Sequence, residues 1–66
     1  MNNIDHPQHY GKGIEPIDII ESWELNFSLG NAIKYILRAP YKNNELEDLE
    51  KAKWYLEREI KRLKGE

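Results

Sequence analysis

The stretch SLGNAIKYILRAP, residues 28–40, decides the fold. At about 100° per residue, Leu29, Ala32, Ile33, Ile36 and Leu37 fall in one arc, and Asn31, Lys34, Tyr35 and Arg38 fall in the opposite one. Ser28 is a good N-cap and Pro40 cannot continue a helix, so the spacing predicts a helix over 28–39. A helix with two such different faces needs an apolar partner, and the flanking sequence offers one on each side.

Upstream, Pro16 suits a first helical turn. Ile17, Ile20 and Trp23 or Glu24 follow at helical spacing, with Ile19 and Leu25 widening the face, which predicts a helix over 16–26. Downstream, PYKNN reads as a polar turn. Asn44 then caps a third helix over 44–64, in which Leu46, Leu49, Leu56, Ile60 and Leu63 are spaced almost as a heptad. Glu45, Glu47 and Asp48 near its start and Arg58, Lys61, Arg62 and Lys64 near its end complement the helix dipole. Glu47 with Lys51 and Glu57 with Lys61 have the spacing of i,i+4 ion pairs. Residues 1–14, with Pro7 restricting His6 and with Gly11 and Gly13 around Lys12, have no apolar period and read as an extended arm. The expected fold class is therefore all-α: an extended N-terminal segment followed by three helices, forming one domain over 1–66.

A domain of 66 residues buries only about 60% of the surface its unfolded chain exposes, so its core needs a supplement. The sequence has no cysteine, which removes disulfides and thiolate zinc and leaves self-association, as a dimer or tetramer, as the expected supplement. The start MNNIDHPQHY lacks a basic n-region and an apolar run, and no segment approaches membrane-spanning length, so a cytoplasmic protein with no membrane partner is expected. A formal net charge of −2 argues against general nucleic-acid binding but permits a compact anionic ligand.

The helix over 28–39 carries the first candidate site. Its polar stripe of Asn31, Lys34, Tyr35 and Arg38 reads either as a solvated outer face or as a binding wall. It contains no acid, and it offers donors for phosphate oxygens, an amide able to read a base edge and a ring for stacking. HPQHY supplies the second candidate. His6 and His9 are either surface residues or hydrogen-bonding partners of a ligand, Tyr10 is either a lid on the core or a stacking ring, and the nearby glycines allow close backbone approach. A His-x-x-His metal site finds no further ligand, so no metal is expected there.

On the third helix Asp48, Lys51, Tyr55 and Arg58 form another polar line, and Trp54, off the leucine seam, suits a subunit contact or a stacked base. Glu21, Glu24, Glu45 and Asp48 match the ExxE…ExxD spacing of all-α nucleoside triphosphate pyrophosphohydrolases, although helix-start electrostatics already account for the last two. There is no phosphate-cradling GxxxxGK[ST] loop, no GxGxxG and no nucleophile–base arrangement, so no catalytic residue is assigned.

Taken together, HPQHY, GIEPIDIIESWELNFSLGNAIKYILRA and NELEDLEKAKWYLEREI resemble a widespread family of small tailed-phage proteins. That family has an HPxHY segment, a Leu-Gly-Asn-Ala-x-Lys-Tyr-x-x-Arg helix and an acidic helix ending in Trp-Tyr-Leu. The likeness spans nearly all of residues 5–60; Pro40 stands where glycine is expected. A longer relative is described as a phage nucleotide kinase without a phosphate loop, and related small phage proteins act as sponges for the cyclic nucleotide signals of bacterial immunity.

Both implications converge on a nucleotide in the cytoplasm of an infected host. A kinase must hold donor and acceptor in line with a metal, whereas a sponge needs only a closed pocket repeated by oligomer symmetry. The expectation is therefore sequestration of a cyclic dinucleotide without chemistry or cofactor, by His6, His9, Tyr10, Asn31, Lys34, Tyr35, Arg38, Lys42 and Lys51. The alternative is a nucleoside monophosphate kinase, or a pyrophosphohydrolase, either of which would bring Mg²⁺.

Overall fold

The computed structural model describes residues 13–66, which hold three α-helices and no strand. The expected arm over 1–14, with His6, His9 and Tyr10, lies almost entirely outside the described residues. Helix α1 spans Pro16–Ser22. Proline opens it, and the Asp18 carboxylate accepts the Glu15 backbone N–H at 2.9 Å, satisfying a group that the helix start leaves without a partner.

Helix α1 ends four residues before the expected boundary. The Leu25 N–H donates to the Ile20 carbonyl at 3.0 Å and the Glu24 N–H to the Glu21 carbonyl at 3.1 Å, with Glu24 at φ 53°. This pair of bonds around a left-handed residue is a Schellman stop. It goes unseen in the apolar spacing because the left-handed position holds glutamate rather than glycine.

Helix α2 spans Phe27–Arg38, capped by Asn26, whose Oδ1 accepts the Leu29 N–H at 2.9 Å. The expected cap, Ser28, is instead the second residue of the helix. Asn26 prevails because its side chain serves twice, the Nδ2 also donating to Glu59 Oε2 at 3.0 Å. A 3₁₀ turn over Ala39–Tyr41 contains Pro40, and helix α3 follows over Glu45–Lys64, closed by Gly65 at φ 81°.

Helices α2 and α3 form an antiparallel hairpin: Asn26 at the start of α2 meets Glu59 near the end of α3, while Tyr35 further along α2 meets Lys51 nearer the start of α3. Helix α1 packs on the other edge of α2, where Ile20 lies against Gly30; a Cβ on that glycine would stand 3.2 Å from Ile20 Cγ2. The three helices make a flat slab of 39 × 27 × 14 Å. The radius of gyration of 13.1 Å exceeds the roughly 11 Å of a compact chain of this length.

Such a slab has almost no interior. Among the described residues the buried apolar ones are Ala32, Ala39 and Ala52, small side chains that let α2 and α3 approach closely, and no large side chain is fully buried. Burial is split within the apolar arc of α2, with Ala32 buried and Leu29 and Ile33 half-buried. Ile36 and Leu37 are exposed, whereas Asn31, Lys34, Tyr35 and Arg38 are half-buried. The hairpin contact runs along Ala32 and Ala39, on the border between the two arcs, so each arc comes to lie on one flat side of the slab.

Candidate functional site

The polar side of the slab is built by α2 and α3 together. Residues three and four apart share a helix face, so Phe27, Asn31, Lys34, Tyr35 and Arg38 line one side of α2, while Lys51, Tyr55 and Arg58, joined by Trp54, line the facing flank of α3. Across the seam Tyr35 and Tyr55 stack with ring centroids 6.0 Å apart and planes 14° from parallel. Phe27 meets the Tyr55 ring edge-on at 6.0 Å, and Trp54 does so at 5.0 Å. Four aromatic rings thus form a continuous strip, in which Phe27 is 76% and Trp54 54% exposed.

Cations border this strip. Lys34 Nζ lies 4.7 Å and Lys51 Nζ 5.4 Å from the centroid of Tyr35, and Arg58 Cζ lies 5.7 Å from that of Trp54. Of these three cations, only Lys51 has an acidic partner within ion-pair distance among the described residues, Glu47 at 3.7 Å. A cation over an exposed ring contributes only about 0.5–1 kcal/mol, which does not offset keeping large rings in water.

Two polar atoms at the turn end of the hairpin are buried without a hydrogen-bond partner: Arg38 Nε and Asp48 Oδ2. Asp48 is 7% exposed. Leaving such groups unmatched costs about 1–3 kcal/mol each.

The expected site residues divide accordingly. Lys34, Tyr35, Arg38 and Lys51 come together around the seam. Asn31 turns its amide back onto its own helix, donating to the Phe27 carbonyl at 2.9 Å, and lines a shallow cavity of about 240 Å³ with Ile20, Leu25 and Lys34. Lys42 follows the 3₁₀ turn in extended backbone and is exposed. Sequence reasoning missed Phe27 and the stacking role of Tyr55; a signal existed in the spacing of Lys51, Tyr55 and Arg58 by four and then three residues, but pairing with Tyr35 needs the register of the hairpin.

The acid spacing does not build a metal site: among the described residues no three His, Cys, Asp or Glu side chains cluster for a metal. Glu21 and Glu24 lie at the end of α1, on the far edge of α2 from Asp48. A separate cavity of about 330 Å³ at the other end of the hairpin is lined by Ser28, Arg58, Glu59, Lys61, Arg62 and Glu66. In it Glu59 accepts from Arg62 Nε at 3.1 Å, from an Arg62 terminal nitrogen at 2.7 Å and from Asn26 at 3.0 Å. Hydrogen bonds from Arg62 first and Asn26 second hold the Glu59 carboxyl below its ordinary value of 4.5. That carboxylate is occupied by structure. No helix among the described residues is long and apolar enough to cross a membrane.

A family model described as a protein of unknown function, DUF3310, matches residues 4–57. No curated protein and no solved structure matches the chain.

Proposed function

This chain belongs to the DUF3310 family, whose function is unknown, and we propose that it is a nucleotide-binding protein that holds its ligand without converting it. The observation that carries this reading is the strip of four rings across α2 and α3 bordered by Lys34, Lys51 and Arg58. Stacking surfaces beside cations match a ligand with a flat base and a compact anion. The net charge of −2 favours a free nucleotide over a nucleic-acid polymer.

In this reading a base stacks beside Tyr35 and Tyr55, and Lys34, Lys51 and Arg38 meet phosphate oxygens. The likeness of HPQHY to the phage proteins adds His6, His9 and Tyr10 to the proposed ligand-binding residues. The likeness to HPxHY phage proteins supports a cyclic dinucleotide signal as the ligand, sequestered in the cytoplasm of an infected bacterium by an oligomer of identical chains. Lack of a phosphate loop and of a three-acid cluster among the described residues supports holding over phosphoryl transfer.

The test incubates the protein with cyclic dinucleotides and, separately, with ATP, magnesium and nucleoside monophosphates, followed by heat denaturation and chromatography. Recovery of intact cyclic dinucleotide is expected. A new nucleoside diphosphate would replace this reading by a kinase, and released pyrophosphate by a pyrophosphohydrolase. A thermal-shift panel with no nucleotide response would overturn nucleotide binding altogether. Arg38→Ala is expected to weaken binding by about 1.5–3 kcal/mol, the worth of a charged hydrogen bond in a desolvated site.

A further inference from the structure

The opposite side of the slab is apolar, and we infer that α3 pairs antiparallel with α3 of a second copy of this chain through it. Leu46, Leu49, Lys53, Leu56, Ile60 and Leu63 follow one another at intervals of 3, 4, 3, 4 and 3 residues, a heptad seam that is apolar at every position but Lys53. The hairpin contact uses a different flank of α3, that of Asp48, Ala52 and Glu59, which are its buried residues. The seam is therefore free: Leu46 is 71%, Leu49 43%, Leu56 40%, Ile60 50% and Leu63 70% exposed. Ile36 and Leu37 of α2, also exposed, extend the same side of the slab. A surface of this extent exceeds what scattered exposed residues on a monomer account for.

Charge identifies the occupant as a second copy and sets its direction. The first turn of α3 carries Glu45, Glu47 and Asp48, and its last turn Lys61, Arg62 and Lys64. Antiparallel pairing sets acidic start beside basic end and opposes the helix dipoles, whereas parallel pairing sets like ends together and Lys53 against Lys53. In the antiparallel register that matches apolar layers, Leu46 faces Leu63 of the other copy, Leu49 faces Ile60 and Lys53 faces Leu56. The Lys53 ammonium then lies beside Glu57 across a two-fold axis. Because the aromatic strip lies on the other side, each copy keeps its strip outward.

Sedimentation equilibrium of the full chain without nucleotide is expected to give twice the 7.9 kDa chain mass. Leu56→Lys is expected to weaken association at least tenfold. Lys53→Leu, which completes the apolar seam and leaves the hairpin contact untouched, is expected to strengthen it at least tenfold. For direction, Leu49→Cys and Ile60→Cys chains, made in a sequence without cysteine, are mixed and oxidised; the mixed cross-link is expected to outweigh either homodimer. A monomeric mass, or Lys53→Leu without effect, overturns the seam as the interface. Cross-linking favouring Leu49→Cys with itself overturns the antiparallel direction. Nucleotide binding by a monomeric chain would leave nucleotide binding by the ring strip standing, while refuting this interface and the oligomeric form of the sponge.

Discussion

Glu24 and Gly65 occupy the same left-handed position at the ends of α1 and α3, with φ 53° and 81°. Only glycine takes that conformation without a steric penalty, which for other residues is about 1–2 kcal/mol. Glu24→Gly is therefore expected to stabilise the protein by about 1 kcal/mol, read as a higher urea midpoint with an unchanged slope. Glu59 presents the opposite case, a charged side chain already matched. Its carboxyl is held below the ordinary value by Arg62 and Asn26, so its contribution is fully present above that value and fades as pH falls through it towards the lowered native one. Denaturation midpoints measured across the acid range should fall less steeply in Glu59→Gln than in the parent chain, and Glu59→Gln should be the less stable of the two at neutral pH. An equal acid slope in both would remove Glu59 as the source.

At the scale of elements, the slab rests on small residues placed where helices cross. Gly30 admits Ile20 of α1, and a Cβ there would lie 3.2 Å from Ile20 Cγ2, a distance that a modest shift of α1 relieves. A branched side chain needs far more room. Gly30→Val is expected to destabilise by about 1–3 kcal/mol through overpacking, with α1 the element that detaches, visible as loss of protection at Ile19 and Ile20 amides in hydrogen exchange. Protection lost evenly over all three helices would show that α1 is not a separable unit. On the α2–α3 seam the alanines play the same part, so the hairpin is held by close backbone approach and by the Tyr35–Tyr55 stack rather than by a wedge of large side chains.

For the whole molecule, a flat slab whose buried apolar residues, among the described residues, are all alanines gains little apolar burial within one copy. If a second copy covers the leucine seam, folding and association are one equilibrium, and the thermal midpoint rises with protein concentration. A midpoint unchanged over a tenfold dilution series would count against that coupling. Under the two proposals the sides of the slab divide labour: association on the leucine side would leave the rings and cations of the other side accessible to ligand.

The helical periods, the proline breaks and the charge gradient of α3 are local properties, and three helices in order were legible from them. So were Lys34, Tyr35 and Arg38 as a group, since residues on one helix face need only the 3.6-residue repeat to be placed together. The register between helices was not, because no short-range pattern states which residue of α2 lies opposite which of α3. That register turned the SLGNAIKYILRAP helix about a quarter-turn from its expected setting, putting the border of its two arcs, Ala32 and Ala39, into the contact. Tertiary packing alone stacked Tyr35 on Tyr55, drew Phe27 and Trp54 beside them and left the leucines outside, because close approach of the backbones requires the smallest side chains between the helices.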